Sequence, residues 1–72
     1  MTERTGDEDF DAFVAAVSGR LLHAADLLAG DRARGEDLVQ HGLAVAYSRW
    51  STLRGGHPEA YVRKVMLHRY LD

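Results

Sequence analysis

Glu36, Asp37, Gln40 and His41 form the densest run of polar side chains able to do chemistry in this 72-residue chain. On a helix, Asp37, Gln40 and His41 fall within about one turn and share a face. A carboxylate on such a face can take a two-pronged bond from a partner's arginine. The plainer account is that Glu36 and Asp37 are first-turn acids favoured by the helix dipole. A second set is basic: Arg54, Arg63, Lys64, His68 and Arg69. Lys64 and His68, four apart, share a helix face, whereas Arg63 and Arg69, six apart, diverge by about 120°. They suit either a phosphate-bearing partner or a solvated surface. Between the two sets lies Leu53-Arg-Gly-Gly-His57. Its paired glycines allow backbone amides to approach a ligand edge closely. His23 with Asp26, and His68 with Asp72, are spaced one helical turn apart, but neither pair has an evident third ligand, so no metal site is expected. No cofactor is expected either. The chain has no cysteine, no glycine-rich phosphate loop and no Ser/His/Asp order in a fitting context, which argues against an enzyme.

Composition bounds the rest. At this length one domain is expected, and a chain this short buries only about 60% of its unfolded surface. A hydrophobic content of 46% fits a folded chain. No apolar run approaches the roughly 20 residues that span a bilayer, and the acidic N-terminus lacks an apolar signal core. The expectation is a cytoplasmic protein with no membrane partner. The net charge of -2 hides an asymmetry. Residues 1–11 carry five carboxylates against one arginine, and residues 49–72 carry five cations against two carboxylates. The basic end can meet phosphate; the acidic end cannot.

The elements that must position these residues are helices. Residues 1–8 lack periodicity and read as a flexible acidic tail, with a helical domain over 9–72. Phe10, Phe13, Val14, Val17, Leu21, Ala24, Ala25 and Leu28 recur in steps of three and four, the mark of a helix with one apolar stripe. Asp9 is its expected N-cap and Gly30 its stop. Gly19 inside it costs about 1 kcal/mol relative to Ala, so the helix must lean on packing. Asp31 can cap a second helix running to Trp50, with a break expected at Gly35 and a close helix approach at Gly42. Residues 51–57 read as a loop, and Pro58 opens a third helix with Glu59 near its positive end. The apolar arc of that helix is wide, as if wedged between two partners. The expectation is all-α, three helices around one small core. Phe13, Val17, Leu21, Leu43, Tyr47, Trp50 and Val65 are the predicted core, with Tyr61 left open between core and stacking roles.

The order of these pieces resembles region 2 of bacterial sigma factors of the extracytoplasmic-function type (sigma-70 family), as found in actinobacteria. The matching pieces are Phe10, Phe13 and Val14; Leu27-Leu-Ala-Gly-Asp31; Glu36-Asp-Leu-Val-Gln40; Tyr47 with Trp50; and Leu53 through Arg63, including Pro58-Glu-Ala-Tyr-Val-Arg63. Together they cover roughly residues 10–72. Each piece alone is weak; their shared order and spacing are what is specific.

The resemblance implies a transcription-initiation role without covalent chemistry. It implies that Glu36, Asp37, Gln40 and His41 dock on the clamp helices of the RNA polymerase core. It implies that Leu53, Arg54, Gly55, Gly56 and His57 capture a flipped base of the promoter minus-ten element, best presented as single-stranded DNA. Arg63, Lys64, His68 and Arg69 would lie along the promoter. An anti-sigma factor is a further partner of the family. Three departures stand out. His41 replaces a usual Glu or Thr, and His68 replaces a common Asn that can read a base edge. Beyond the position of Asp72, members usually continue with Trp, several arginines and a second DNA-binding domain, whose loss would weaken DNA affinity. The competing reading is a sigma-like interaction module that binds polymerase or an anti-sigma factor without reading DNA.

Overall fold

The computed structural model describes residues 6–72. Four helices follow in order: α1 Gly6–Ala29, α2 Arg32–Ser48, α3 Trp50–Leu53 and α4 Pro58–Leu71. Among the described residues there is no strand, so the chain is all-α as expected. Three helices are long, and α3 is a single turn that the sequence reading assigned to a loop.

α1 begins three residues ahead of the expected cap at Asp9. Asp7, Glu8 and Asp9 occupy its first turn, where the positive end of the helix dipole favours carboxylates. Residues 6–8 are thus helical rather than tail; residues 1–5 lie outside the described residues. α1 stops where expected. Gly30 adopts a φ of 68°, the left-handed conformation that glycine enters at little steric cost, and its N–H donates to Asp26 O at 2.8 Å. Asp31 then caps α2, its carboxylate accepting from Ala33 N at 3.3 Å.

Contrary to the expected break, α2 runs through Gly35 without interruption. The glycine serves packing instead. A Cβ there would lie 2.6 Å from Asp26 Oδ1 and 3.2 Å from Asp26 N, so α1 and α2 meet backbone to backbone. Gly42 does the same for α4, as the sequence suggested: a Cβ would come within 2.9 Å of Val62 Cγ1. α2 is therefore the central element, with α1 and α4 packed on it. It ends at Ser48, with Arg49 as its C-cap, and not at Trp50.

The core joins Val17, Leu21 and Ala25 of α1, Leu38, Val39 and Ala46 of α2, and Val62 and Met66 of α4. The spacing 17, 21, 25 is one helical stripe, and burying each large side chain stabilises by roughly 1.5–3 kcal/mol. Trp50 is 8% exposed and sits against Phe10 and Phe13, with ring centroids 5.2 and 5.0 Å away. Phe13 and Leu43 are half-buried and packed against this core, whereas Val65, expected in it, is half-buried without joining it. Tyr47 departs from the expectation. It is 51% exposed, its ring resting on Phe10 at 4.9 Å while its hydroxyl donates to Asp7 Oδ1 at 2.6 Å. Helical spacing places this tyrosine in the core; its polar tip holds it at the rim.

By length and composition alone, α1 is apolar enough to cross a membrane, which the sequence reading had not anticipated. Here its apolar stripe faces α2, and it carries Arg20 and Asp26. The wide arc of α4 is filled on one side only: Val62 and Met66 are buried, while Leu67 and Leu71 are exposed.

Candidate functional site

Three features of the surface combine residue types with geometry. The first is the outward face of α2. Since Leu38, Val39, Gly42 and Ala46 turn inward, the 3.6-residue period carries Asp37, Gln40 and Ala44 outward. Asp37 and Gln40 are exposed and His41 is half-buried beside them. The side chains of Asp37 and Gln40 form no hydrogen bond or ion pair with any described residue. Glu36 differs: it accepts from Arg32 Nε at 3.2 Å, an i,i+4 pair on the surface of α2. The continuous α2 thus sets Glu36, Asp37, Gln40 and His41 within about one turn, with Glu36 already engaged by Arg32.

The second feature is a groove of about 530 Å³ between α1, the glycine loop and the start of α4. Phe13 and Val17 line it from α1, Gly56 and His57 from the loop, and Pro58, Glu59, Ala60 and Arg63 from α4. The loop is built by two turns. Arg54 N–H donates to Trp50 O at 2.9 Å, and Gly56 N–H to Leu53 O at 2.9 Å, closing α3. His57 then leads directly into Pro58 at the first turn of α4, where a missing N–H costs nothing. Gly55, Gly56 and His57 are exposed. Leu53 is half-buried and packs on the core, anchoring the loop. Arg54 is ion-paired with Asp9 of α1.

The groove's edge carries a charged cluster that the sequence reading did not foresee. Arg20 of α1 grips Glu59 with two bonds, Nη2 to Oε1 at 2.8 Å and Nε to Oε2 at 3.1 Å. Arg63 adds a third, Nη2 to Glu59 Oε2 at 3.2 Å. The bond from Arg20, reinforced by Arg63, holds the Glu59 carboxyl at about 2, well below its ordinary 4.5. The same pairing raises the guanidinium of Arg20. No local signal links Arg20 to Glu59, because 39 residues separate them. Arg63, expected on the basic face, is therefore part of this cluster.

The third feature is the exposed side of α4. Lys64 and His68 lie one turn apart on it, near the exposed Leu67 and Leu71. Arg69 is exposed too, but on another side of the helix. The side chains of Lys64, His68 and Arg69 make no hydrogen bond or ion pair with any described residue, although the His68 carbonyl accepts from the Asp72 N–H at 3.1 Å. Among the described residues, no three His, Asp or Glu side chains gather in a way that could hold a metal ion.

A smaller groove of about 360 Å³ lies beside the aromatic cluster, lined by Asp7, Tyr47, Trp50 and Arg54 among others. The raised hydroxyl of Tyr47, held by its bond to Asp7, keeps it a donor there.

Among known proteins, the chain is similar to an RNA polymerase sigma-E factor of Streptomyces coelicolor. The two are 34% identical over 61 residues, which is 83% of this chain and 34% of that relative. The chain thus spans about a third of the relative's length. No family model matches the chain. No solved structure matches it either. The likeness to the sigma-E factor supports kinship with the sigma factors.

Proposed function

We propose that this chain acts as a region 2 domain of a sigma factor of the extracytoplasmic-function type, working in the bacterial cytoplasm without catalytic chemistry of its own. It docks on the clamp helices of the RNA polymerase core through the α2 face of Asp37, Gln40 and His41, with Glu36 at its edge. It receives a base of the minus-ten element at the groove beside Gly55, Gly56 and His57, and Lys64, His68 and Arg69 follow the DNA backbone. An anti-sigma factor would compete for the same surfaces.

The observation that carries this reading is the unsatisfied polar face of α2, on a chain similar to a sigma factor. Two side chains with full hydrogen-bonding capacity stand exposed without a described partner, flanked by the small Ala33 and Ala44. A flat, uncommitted polar strip suits a partner helix carrying arginines, since each carboxylate can accept two parallel bonds. The groove supports the DNA half. Its floor is aromatic and aliphatic, and one wall is a glycine loop, the combination that lets a flipped base stack and be read by backbone groups. Extracting a base from duplex costs a few kcal/mol, so a single strand binds more readily.

The test is titration of the chain with the polymerase clamp coiled coil. Replacing Asp37 and Gln40 together by Ala should weaken binding by roughly 1–3 kcal/mol per central residue while leaving the thermal melt unchanged. Unchanged affinity in the double variant removes the docking assignment. The interaction-module reading without DNA recognition wins if clamp binding persists but no single strand is preferred over its scrambled counterpart.

A further inference from the structure

The Arg20–Glu59–Arg63 cluster has no part in the docking face, and the core does not need it. Arg20 is 59% exposed and Arg63 44%, and exposed pairs of this kind stabilise a fold by only about 0–1 kcal/mol. Its geometry is nonetheless specific. One carboxylate holds two guanidiniums from different helices, and both Glu59 and Arg63 line the groove. Two cations against one anion leave the cluster with a net positive charge. The bonds to Glu59 use two of Arg20's N–H donors and one of Arg63's. A guanidinium offers about five such donors, so most remain free.

We infer that Arg20 and Arg63, held in place by Glu59, form a phosphate-binding rim that grips the backbone of a single strand whose base enters the groove. This rests on the DNA reading above and adds to it a contact from α1. Charge complementarity identifies the occupant. The groove is apolar at its floor, where Phe13, Val17 and Pro58 lie, and cationic at one edge. A nucleotide has the matching order, an apolar face joined to an anion. Arginine suits the rim because its planar fork presents paired donors to phosphate oxygens. Glu59 fixes the spacing of the two forks, and its firmly ionised carboxylate keeps them from collapsing onto the strand without register. Arg20 and Arg63 are thus binding residues, and Glu59 is a positioning residue.

The experiment uses the full chain and the best-enriched strand from a randomised single-stranded DNA library. Affinity is measured across a salt series for wild type, Arg20→Ala, Arg63→Ala, Arg20→Lys, Glu59→Gln and Arg32→Ala. Arg32 pairs with Glu36 and Asp26, away from the groove, so its removal deletes the same charge at a neutral place. Arg20→Ala and Arg63→Ala should each bind roughly tenfold more weakly at low salt, the loss of one charge-assisted bond. Each should flatten the salt dependence by about 0.7, the share of one phosphate on a single strand. Arg20→Lys should recover the salt slope. Glu59→Gln should keep the slope while losing preference for the selected strand over a scrambled one. Arg32→Ala should behave as wild type. Circular dichroism melts confirm that each variant is folded. Wild-type affinity and slope in Arg20→Ala would overturn the rim, as would an equal loss in Arg20→Ala and Arg32→Ala. If wild type enriches no strand at all, the DNA reading fails first, and the rim falls with it.

Discussion

The same substitution at two glycines should move stability in opposite directions. Replacing a helix-interior glycine by alanine gains about 0.8–1.0 kcal/mol from backbone propensity. At Gly19 in α1, an added Cβ meets nothing within 4 Å, so Gly19→Ala should realise that gain in full. At Gly42 in α2, the Cβ would sit 2.9 Å from Val62 Cγ1, 3.1 Å from Met66 Cγ and 3.3 Å from Val62 O. Comfortable carbon–carbon separations are about 3.5–4.0 Å. Val62 is fully buried and, being β-branched, has one favoured side-chain rotamer in a helix; Met66 is only 2% exposed. Neither can retreat without moving α4. Overpacking of this kind costs about 1–3 kcal/mol, so the net for Gly42→Ala, after propensity, is a loss near 1 kcal/mol. In a domain of this size 1 kcal/mol corresponds to about 4–8 °C in Tm. Urea and thermal melts of both variants, followed by far-UV circular dichroism, would measure the difference, provided the denaturant slopes match. A Gly42→Ala protein as stabilised as Gly19→Ala would refute the claim that α2 and α4 meet at backbone distance.

Trp50→Ala should cost about 3–5 kcal/mol, because it empties the space between Phe10 and Phe13 and frees the start of α3. So large a loss should leave little folded protein at room temperature, and a cooperative melt close to wild type would contradict the burial of Trp50. The carboxyl of Glu59 should titrate near 2 by carbon-detected NMR. Because its folded value lies below the ordinary 4.5, the pairing contributes stability above about pH 4.5 and loses it as pH falls toward 2. A midpoint near 4.5 would mean that Arg20 and Arg63 do not hold it in solution.

Local chemistry made the helix ends legible. Gly30 with its positive φ, Asp31 as a cap and Pro58 at a first turn each act through their own backbone, so the sequence carries them directly. The stripe of Val17, Leu21 and Ala25 was legible for the same reason, since helical period is a short-range property. What escaped is decided between elements. Gly35 reads as a helix breaker, yet it is retained where the backbone of α1 leaves no room for a side chain. Residues 51–53 read as loop because of the glycines that follow, but Trp50 and Leu53 pack inward and pull the chain into one more turn. Tyr47 looked like core by spacing, and only its bond to Asp7 explains its place at the rim. For the candidate site, the face of Asp37, Gln40 and His41 followed from period alone. The groove did not, because Phe13 and Val17 reach it from a helix some forty residues away from the loop they face.

Trp50 is the chain's single tryptophan, and it is enclosed by two phenylalanines at the junction of α1 and α3. That makes it an internal optical reporter. Indole emission shifts to the red when water reaches the ring, so its colour follows the integrity of this junction without any label. The next residues in the chain are α3 and the glycine loop, and Leu53 ties that loop to the same core. A ligand that tugs on the loop therefore acts within one helical turn of the fluorophore. The signal comes from one site and needs no deconvolution, so the unmodified chain can be read by light while its partners are added.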